Sequence, residues 1–164
     1  MNTPILALAF FGLLGSTAAC ADEVVRHKIP NSDFPIAAAV EVPAGKTTVY
    51  LSGAGPAVAD KSQPADSIAA YGDTRTQTIS ALNAIRASLQ RLHLDIKDIV
   101  KMDVFLVGDP AHGGNMDFAG FMEGYRQFFG TAEQPNLPAR STMRVASLVS
   151  PGWLIEIEVA AVRE

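Results

Sequence analysis

The chain has 164 residues, of which 48% are hydrophobic and 18% charged, and a formal net charge of −4. This is the composition of one soluble globular domain, and a chain of this length buries close to about 70% of its unfolded surface, so neither a disulfide nor a metal is needed to hold its core. The acidic balance lacks the basic footprint on which nucleic-acid binding rests, so no nucleic-acid partner is expected.

Residues 5–15 form an apolar run with the length of a signal-peptide core, too short to span a bilayer comfortably. Ala19-Cys20-Ala21 fits the small-x-small cleavage pattern, although the segment before the run carries no Lys or Arg. Residues 1–21 are therefore expected to be a signal peptide and 22–164 a single exported domain, periplasmic, with no transmembrane segment in the mature chain. Cleavage after Ala21 would remove Cys20, the only cysteine, and with it thiol catalysis, a thiolate metal site and any internal disulfide. The alternative is a lipid anchor on Cys20, which wants a large aliphatic residue three positions earlier, where Thr17 stands.

A short strand starts at Glu23, followed by a turn at 30–33, a second strand at 37–42, a turn at Pro43-Ala44-Gly45-Lys46 and a third strand at 47–52, rich in β-branched and aromatic residues. The loop at 53–72 is long enough to suggest that it borders a site or an interface. Asp73 can cap the first long helix, with Thr74 and Gln77 offering the capping-box spacing instead. Ile79, Leu82, Ile85, Leu89 and Leu92 then form one apolar stripe, suited to covering a sheet face. Residues 96–107 alternate as a fourth strand, 108–115 form a Gly-rich loop, and 116–129 form a second amphipathic helix with Phe118, Phe121, Met122, Tyr125, Phe128 and Phe129.

Residues 137–145 and 153–162 alternate polar and apolar side chains on either side of Ser150-Pro151-Gly152, which predicts an antiparallel hairpin. The register that keeps the faces unmixed sets Arg144 opposite Glu158 and leaves Arg140 and Glu156 on one face, about 20 Å apart. Only strong curvature or a second subunit would let both touch one small ligand. The order β-β-β-α-β-α-β-β predicts an α+β domain, a mixed sheet with two helices on one face. The face carrying Arg140, Thr142, Arg144, Glu156 and Glu158 is then left to solvent or to another copy of the chain.

Pro-Ala-Arg-Ser at 138–141, Ile-Glu-Ile-Glu at 155–158 and Leu-Ser-Gly at 51–53 resemble the RidA/YjgF family of imine deaminases, also called the L-PSP or translation-inhibitor family, over about residues 36–163. The resemblance implies a YjgF/chorismate-mutase-like fold, a homotrimer with clefts between subunits, and hydrolysis of 2-imino or enamine acids to 2-oxo acids and ammonia without a metal or organic cofactor. It implies that Arg140 anchors the carboxylate of a small 2-imino or 2-oxo acid, that Glu156 places the attacking water, and that Ser52 and Gly53 line the cleft. Three places depart from the family pattern: Phe34-Pro35-Ile36 stands where many members carry a tyrosine shortly before the second strand, Met122 where they carry an asparagine, and Thr142 where a cysteine is common. The apolar Ile36 and Met122 are therefore expected to line the substrate cleft with Thr142. A non-catalytic trimer that binds small carboxylates or shields unfolded chains is the alternative implied; RNA cleavage rests on the older family name alone.

From the residues alone, Arg140 suits bidentate capture of a carboxylate, or else a cross-strand ion pair. Glu156 suits general-base work or a solvated strand face, and Ser52-Gly53 a cleft lining or a simple turn, with no His–Asp partnership for a nucleophilic serine. His27, His93 and His112 have no metal-ligand spacing; His93 sits near a helix end, and His112 lies in a loop that could approach a cleft. Gly113-Gly114 lacks the lysine and hydroxyl that a phosphate loop needs.

Overall fold

The computed structural model describes residues 22–163. The expectations placed on residues 1–21, a signal peptide or a lipid anchor at Cys20, lie outside the described residues. Six strands and two α-helices follow in the order β1 (Val25–Lys28), β2 (Ala37–Glu41), β3 (Thr47–Ala54), α1 (Thr74–Arg91), β4 (Ile99–Leu106), α2 (Phe118–Tyr125), β5 (Ala139–Arg144) and β6 (Ile155–Arg163). They build one mixed sheet of order β1-β2-β5-β4-β6-β3. β5 runs parallel to β4 and to β2, while the β1–β2, β3–β6 and β4–β6 pairs are antiparallel.

β4 is the centre of the core. Met102, Val104 and Leu106 are fully buried on one face, and Lys101, Asp103 and Phe105 are half-buried on the other. Period-two alternation of this kind selects a face for each residue. Ile155, Ile157, Val159 and Ala161 of β6 join the buried face, beneath Leu82, Ile85 and Leu89 of α1 and Phe121 and Tyr125 of α2. The opposite face carries only a small cluster, Val100, Ala160 and Val162, under Val24 and Val40.

Asp73 caps α1 by accepting from the Thr76 amide at 2.7 Å. The stripe reaches Leu89, but Leu92 lies past the helix and is 41% exposed. His93 takes the left-handed conformation that ends the helix (φ 59°), its amide bonded to Gln90 O and that of Leu94 to Leu89 O. These are the two bonds of a Schellman ending, so His93 serves the turn through its backbone. The second helix is shorter than expected, although Phe128 and Phe129 beyond it are still buried.

The expected hairpin does not form. β4 lies between β5 and β6, and residues 145–154 cross its C-terminal end, where Val145 N donates to Leu106 O and Val107 N to Leu154 O. The Ser150-Pro151-Gly152 turn is present, with Trp153 N donating to Ser150 O, but it aims the chain across β4. Buried Gln77 fixes this crossing: its Nε2 donates to Gly72 O and Gly152 O, and its Oε1 accepts from Leu154 N at 2.7 Å. A central strand with one face fully buried needs ladder bonds on both edges, and β4 takes them from β5 and β6.

The interposed strand also overturns the expected faces. Arg140, Thr142 and Arg144 are in register with Met102, Val104 and Leu106, on the helix side. Glu156 and Glu158 are in register with Phe105 and Asp103, on the open side. Arg144 and Glu158 therefore form no pair; on the open face Asp103 is engaged instead by Lys101. Arg140 and Glu156 are about 14 Å apart, three residues along and two strands across, and not about 20 Å along one hairpin.

Candidate functional site

β5 meets β2 only where Ala37 faces Ala139, with Ala37 N donating to Pro138 O at 2.9 Å. Beyond that point its outer edge is open. Val145 N points at Leu106 O, so strand alternation turns the peptide groups of Thr142 and Arg144 outward, to the unpaired edge.

Arg140 projects from this strand against α2. Its guanidinium carbon lies 4.4 Å from the Tyr125 ring centroid, 4.8 Å from that of Phe121 and 5.5 Å from that of Phe34. Nη2 donates to the Met122 sulfur at 3.4 Å, while Nη1 is buried with no hydrogen-bond partner. No carboxylate among the described residues pairs with Arg140. Two positions on, the Thr142 hydroxyl oxygen is likewise buried and unpartnered. The Tyr125 hydroxyl donates to Pro35 O at 2.8 Å, fixing the segment that sets Phe34 beside the guanidinium; Ile36, one residue on, packs on the core.

Burial shapes the electrostatics here. It lowers the pKa of Arg140 from its ordinary value, with Tyr125 opposing the shift. It pushes the Tyr125 phenol far above its ordinary 10.0, against the pull of Arg140. A guanidinium surrounded by rings and a thioether has its charge balanced only by quadrupoles, and retains its appetite for an anion.

A second group assembles on the open face. The β3–β6 ladder passes from Leu51↔Val159 to Ala54↔Ile157, so three steps on β3 match two on β6 and Ser52-Gly53 bulge from the ladder. The Gly53 backbone comes so near Glu156 that a Cβ there would stand 2.0 Å from Oε1, so a larger residue at this position would have to push the carboxylate aside. Ser52 is exposed and Glu156 half-buried. The cavity beside them, about 320 Å³, is lined by Ser52 and Glu158 and not by Glu156.

One chain thus holds two candidate half-sites: Arg140, Thr142 and Met122 at the helix side of β5, with Ile36 packed on the core just before β2, and Ser52, Gly53 and Glu156 on the other face. Nothing in the sequence sets Phe121 and Tyr125 beside the guanidinium, because aromatics at helical spacing read as core, and Phe34, ahead of β2, is marked only by the family's tyrosine position. His112, with Nδ1 3.1 Å from Asp109, belongs to neither half-site, and His27 pairs with Glu41 at 2.7 Å. Among the described residues no group of three or more His, Cys, Asp or Glu could hold a metal.

Fold and site together define a class: two helices on one face of a mixed six-stranded sheet, with a guanidinium lacking a carboxylate partner on β5, where its ladder to β2 has ended, and a carboxylate under a glycine bulge on the far face. Residues 35–163 match the family described as Endoribonuclease L-PSP. The chain belongs to this family, the RidA/YjgF family. A RutC family protein of Haemophilus influenzae is 36% identical over 92 residues, covering 56% of this chain and 65% of that protein, so the chain spans less than two thirds of that relative's length. Escherichia coli TdcF with bound serine is 31% identical, with a TM-score of 0.55, over 75% of this chain and 85% of that one. The fold is also that of a Rid-family protein from Yersinia pestis, 22% identical with a TM-score of 0.61 over 84% of this chain and 98% of that one. A YjgF-family protein from Neisseria meningitidis shares it too, at 22% identity and a TM-score of 0.51, over 87% and 96% of the two chains.

Proposed function

We propose that the protein is a hydrolytic deaminase that converts small 2-imino or enamine acids to 2-oxo acids and ammonia, working as an exported homotrimer with its clefts between subunits. The observation that carries this reading is the guanidinium of Arg140, half-buried, with Nη1 lacking any acceptor and the unpartnered Thr142 hydroxyl beside it. TdcF, a relative whose structure holds serine, supports a ligand of the amino-acid class.

In this reading the substrate carboxylate takes two parallel bonds from Arg140, and the Thr142 hydroxyl and outward amide orient the adjacent imine. Glu156 comes from the neighbouring subunit, since it faces away from Arg140 within one chain. It accepts one proton from water as the oxygen attacks the carbon of the protonated imine, and passes that proton to the nitrogen. The carbinolamine hydroxyl then gives its own proton to Glu156 as the C=O bond forms, the C–N bond breaks and ammonia leaves, taking the proton from Glu156 as ammonium. Positioned proton transfer of this kind contributes about 10²–10⁴-fold. No metal or organic cofactor enters the scheme. Ile36 and Met122 give the cleft apolar walls, which favours an apolar substrate chain near Arg140; it equally favours a second reading, a trimer that binds small carboxylates or shields unfolded chains without turnover. RNA cleavage, the activity in the family description, is opposed by the net charge of −4.

The test is ammonia release from 2-iminobutanoate and 2-aminoacrylate generated in place, with the protein beginning at Asp22 and its Arg140→Ala variant. Acceleration that disappears in the variant supports the deaminase; release at the spontaneous rate with every imino acid moves the protein to the binding class. Export is checked by the amino-terminal residue of the protein recovered from its host, Asp22 if residues 1–21 are removed.

A further inference from the structure

Arg144 is a second cation in the same row as Arg140, and nothing in the deaminase scheme uses it. The two residues share the helix-side face of β5, in register with Met102 and Leu106 respectively. Arg144 is exposed, and its Nη2 lies against the Gly108 backbone, 3.1 Å from where a Cβ on that residue would stand. It forms no ion pair or hydrogen bond among the described residues. The acids of the neighbouring loop are engaged elsewhere: Asp109 accepts from the Ala111 amide and contacts His112, and Asp117 accepts from the Gly120 amide. Glu158, the partner the sequence suggested, is on the other face.

We propose that Arg144 is a second carboxylate anchor, so that the cleft selects four- and five-carbon dicarboxylic 2-imino or 2-oxo acids over monocarboxylic ones. This rests on the reading of Arg140 as the first anchor. Four residues of strand separate the two α-carbons by about 13 Å, and side chains standing roughly perpendicular to the sheet carry that spacing to their guanidinium carbons. A guanidinium carbon and a carboxylate carbon in a bidentate pair are about 4 Å apart, and the terminal carbons of an extended five-carbon diacid about 5 Å, which sums to the same about 13 Å. Thr142 lies midway, where its hydroxyl and outward amide meet the 2-imino or 2-oxo group. The apolar Met122, in contact with the Arg140 guanidinium, offers no rival contact to the distal carboxylate.

The probes are 2-oxoglutarate and 2-oxobutanoate, stable analogues that differ in the distal carboxylate, titrated calorimetrically into the full domain, into Arg144→Gln and into Arg140→Gln. Charge-assisted pairing at Arg144 should make 2-oxoglutarate bind about tenfold tighter than 2-oxobutanoate. Arg144→Gln should erase that preference by weakening 2-oxoglutarate selectively, while Arg140→Gln weakens both. Equal affinities in the unaltered protein, or a preference that survives Arg144→Gln, would overturn the proposal and leave the Arg140 reading standing. Failure of both acids to bind would sink the two together. Light scattering completes the test: a change in assembly mass in Arg144→Gln would show that Arg144 serves a subunit contact, and would overturn the proposal as well.

Discussion

Arg140 and Glu156 leave the sheet on opposite faces, Arg140 beside Met102 and Glu156 beside Phe105 of the one strand that separates them. No rotamer of either side chain carries it through the sheet, so a ligand touching both must lie between two subunits. Subunits bearing Arg140→Ala and subunits bearing Glu156→Ala, each inactive alone, should therefore regain activity when refolded together. Random mixing leaves about a quarter of composite clefts with both side chains. The deaminase assay on the mixture reads this directly; an inactive mixture would place the two groups in one chain's site or in none.

Gly53→Ala tests the contact between the bulge and the glutamate. The added Cβ would sit 2.0 Å from Glu156 Oε1 but 3.1 Å from its Cγ, so the end of a flexible side chain yields and the backbone does not. Folding should survive with a loss of about 1 kcal/mol, while turnover falls by about 10²-fold as the carboxylate is turned away. Paired measurements of thermal midpoint and kcat separate the two effects.

Arg140→Met should abolish small-acid binding and yet make the protein more stable. The guanidinium is half-buried without a counter-ion, and its contacts with Tyr125, Phe121 and Phe34 offset only part of the desolvation. A thioether of similar length keeps the ring contacts and removes that cost, giving a gain of about 1 kcal/mol. Denaturant midpoints at equal m-value measure it; a loss would mean that the charge is balanced in the folded protein.

Tyr125 makes folding sensitive to alkali. Its phenol is raised well above 10.0 by burial, so in the native state it keeps its proton where the unfolded chain has lost it. The unfolded state then binds fewer protons, and the slope of unfolding free energy with pH is negative. This contribution to stability is fully present below about pH 10 and is lost progressively above it. Tyr125→Phe should flatten the alkaline limb of the stability profile and remove a late-titrating phenolate from the ultraviolet spectrum.

Gln77→Leu should cost about 3 kcal/mol, because it leaves the buried Gly152 carbonyl and Leu154 amide, and the half-buried Gly72 carbonyl, without their partner. Its thermal midpoint should fall accordingly, and proteolytic nicking should appear within residues 145–154, the crossing that Gln77 fixes. Unchanged protease resistance would mean that the crossing is held by the strands alone.

Local chemistry made much of the molecule legible in advance. Alternation set the strands, the three-to-four spacing of Leu82, Ile85 and Leu89 set the buried stripe of α1, and Asp73 marked its start. The order of elements and the α+β class followed, and the short motifs at 51–53, 138–141 and 155–158 sufficed to indicate the family now matched over residues 35–163. Partner choice was not legible. Two alternating runs joined through Pro151-Gly152 satisfy every local condition for a hairpin, and only the burial demanded by Met102, Val104 and Leu106 draws β4 in between them. That one insertion moved Arg140 and Glu156 to opposite faces, separated Arg144 from Glu158, and placed Phe121 and Tyr125 around the guanidinium. Sequence by itself determined which residues alternate and which carry charge, since both are properties of neighbours along the chain. Tertiary structure alone decided which faces those residues share, because strand order is chosen by how the whole sheet buries its apolar surface and pairs its backbone.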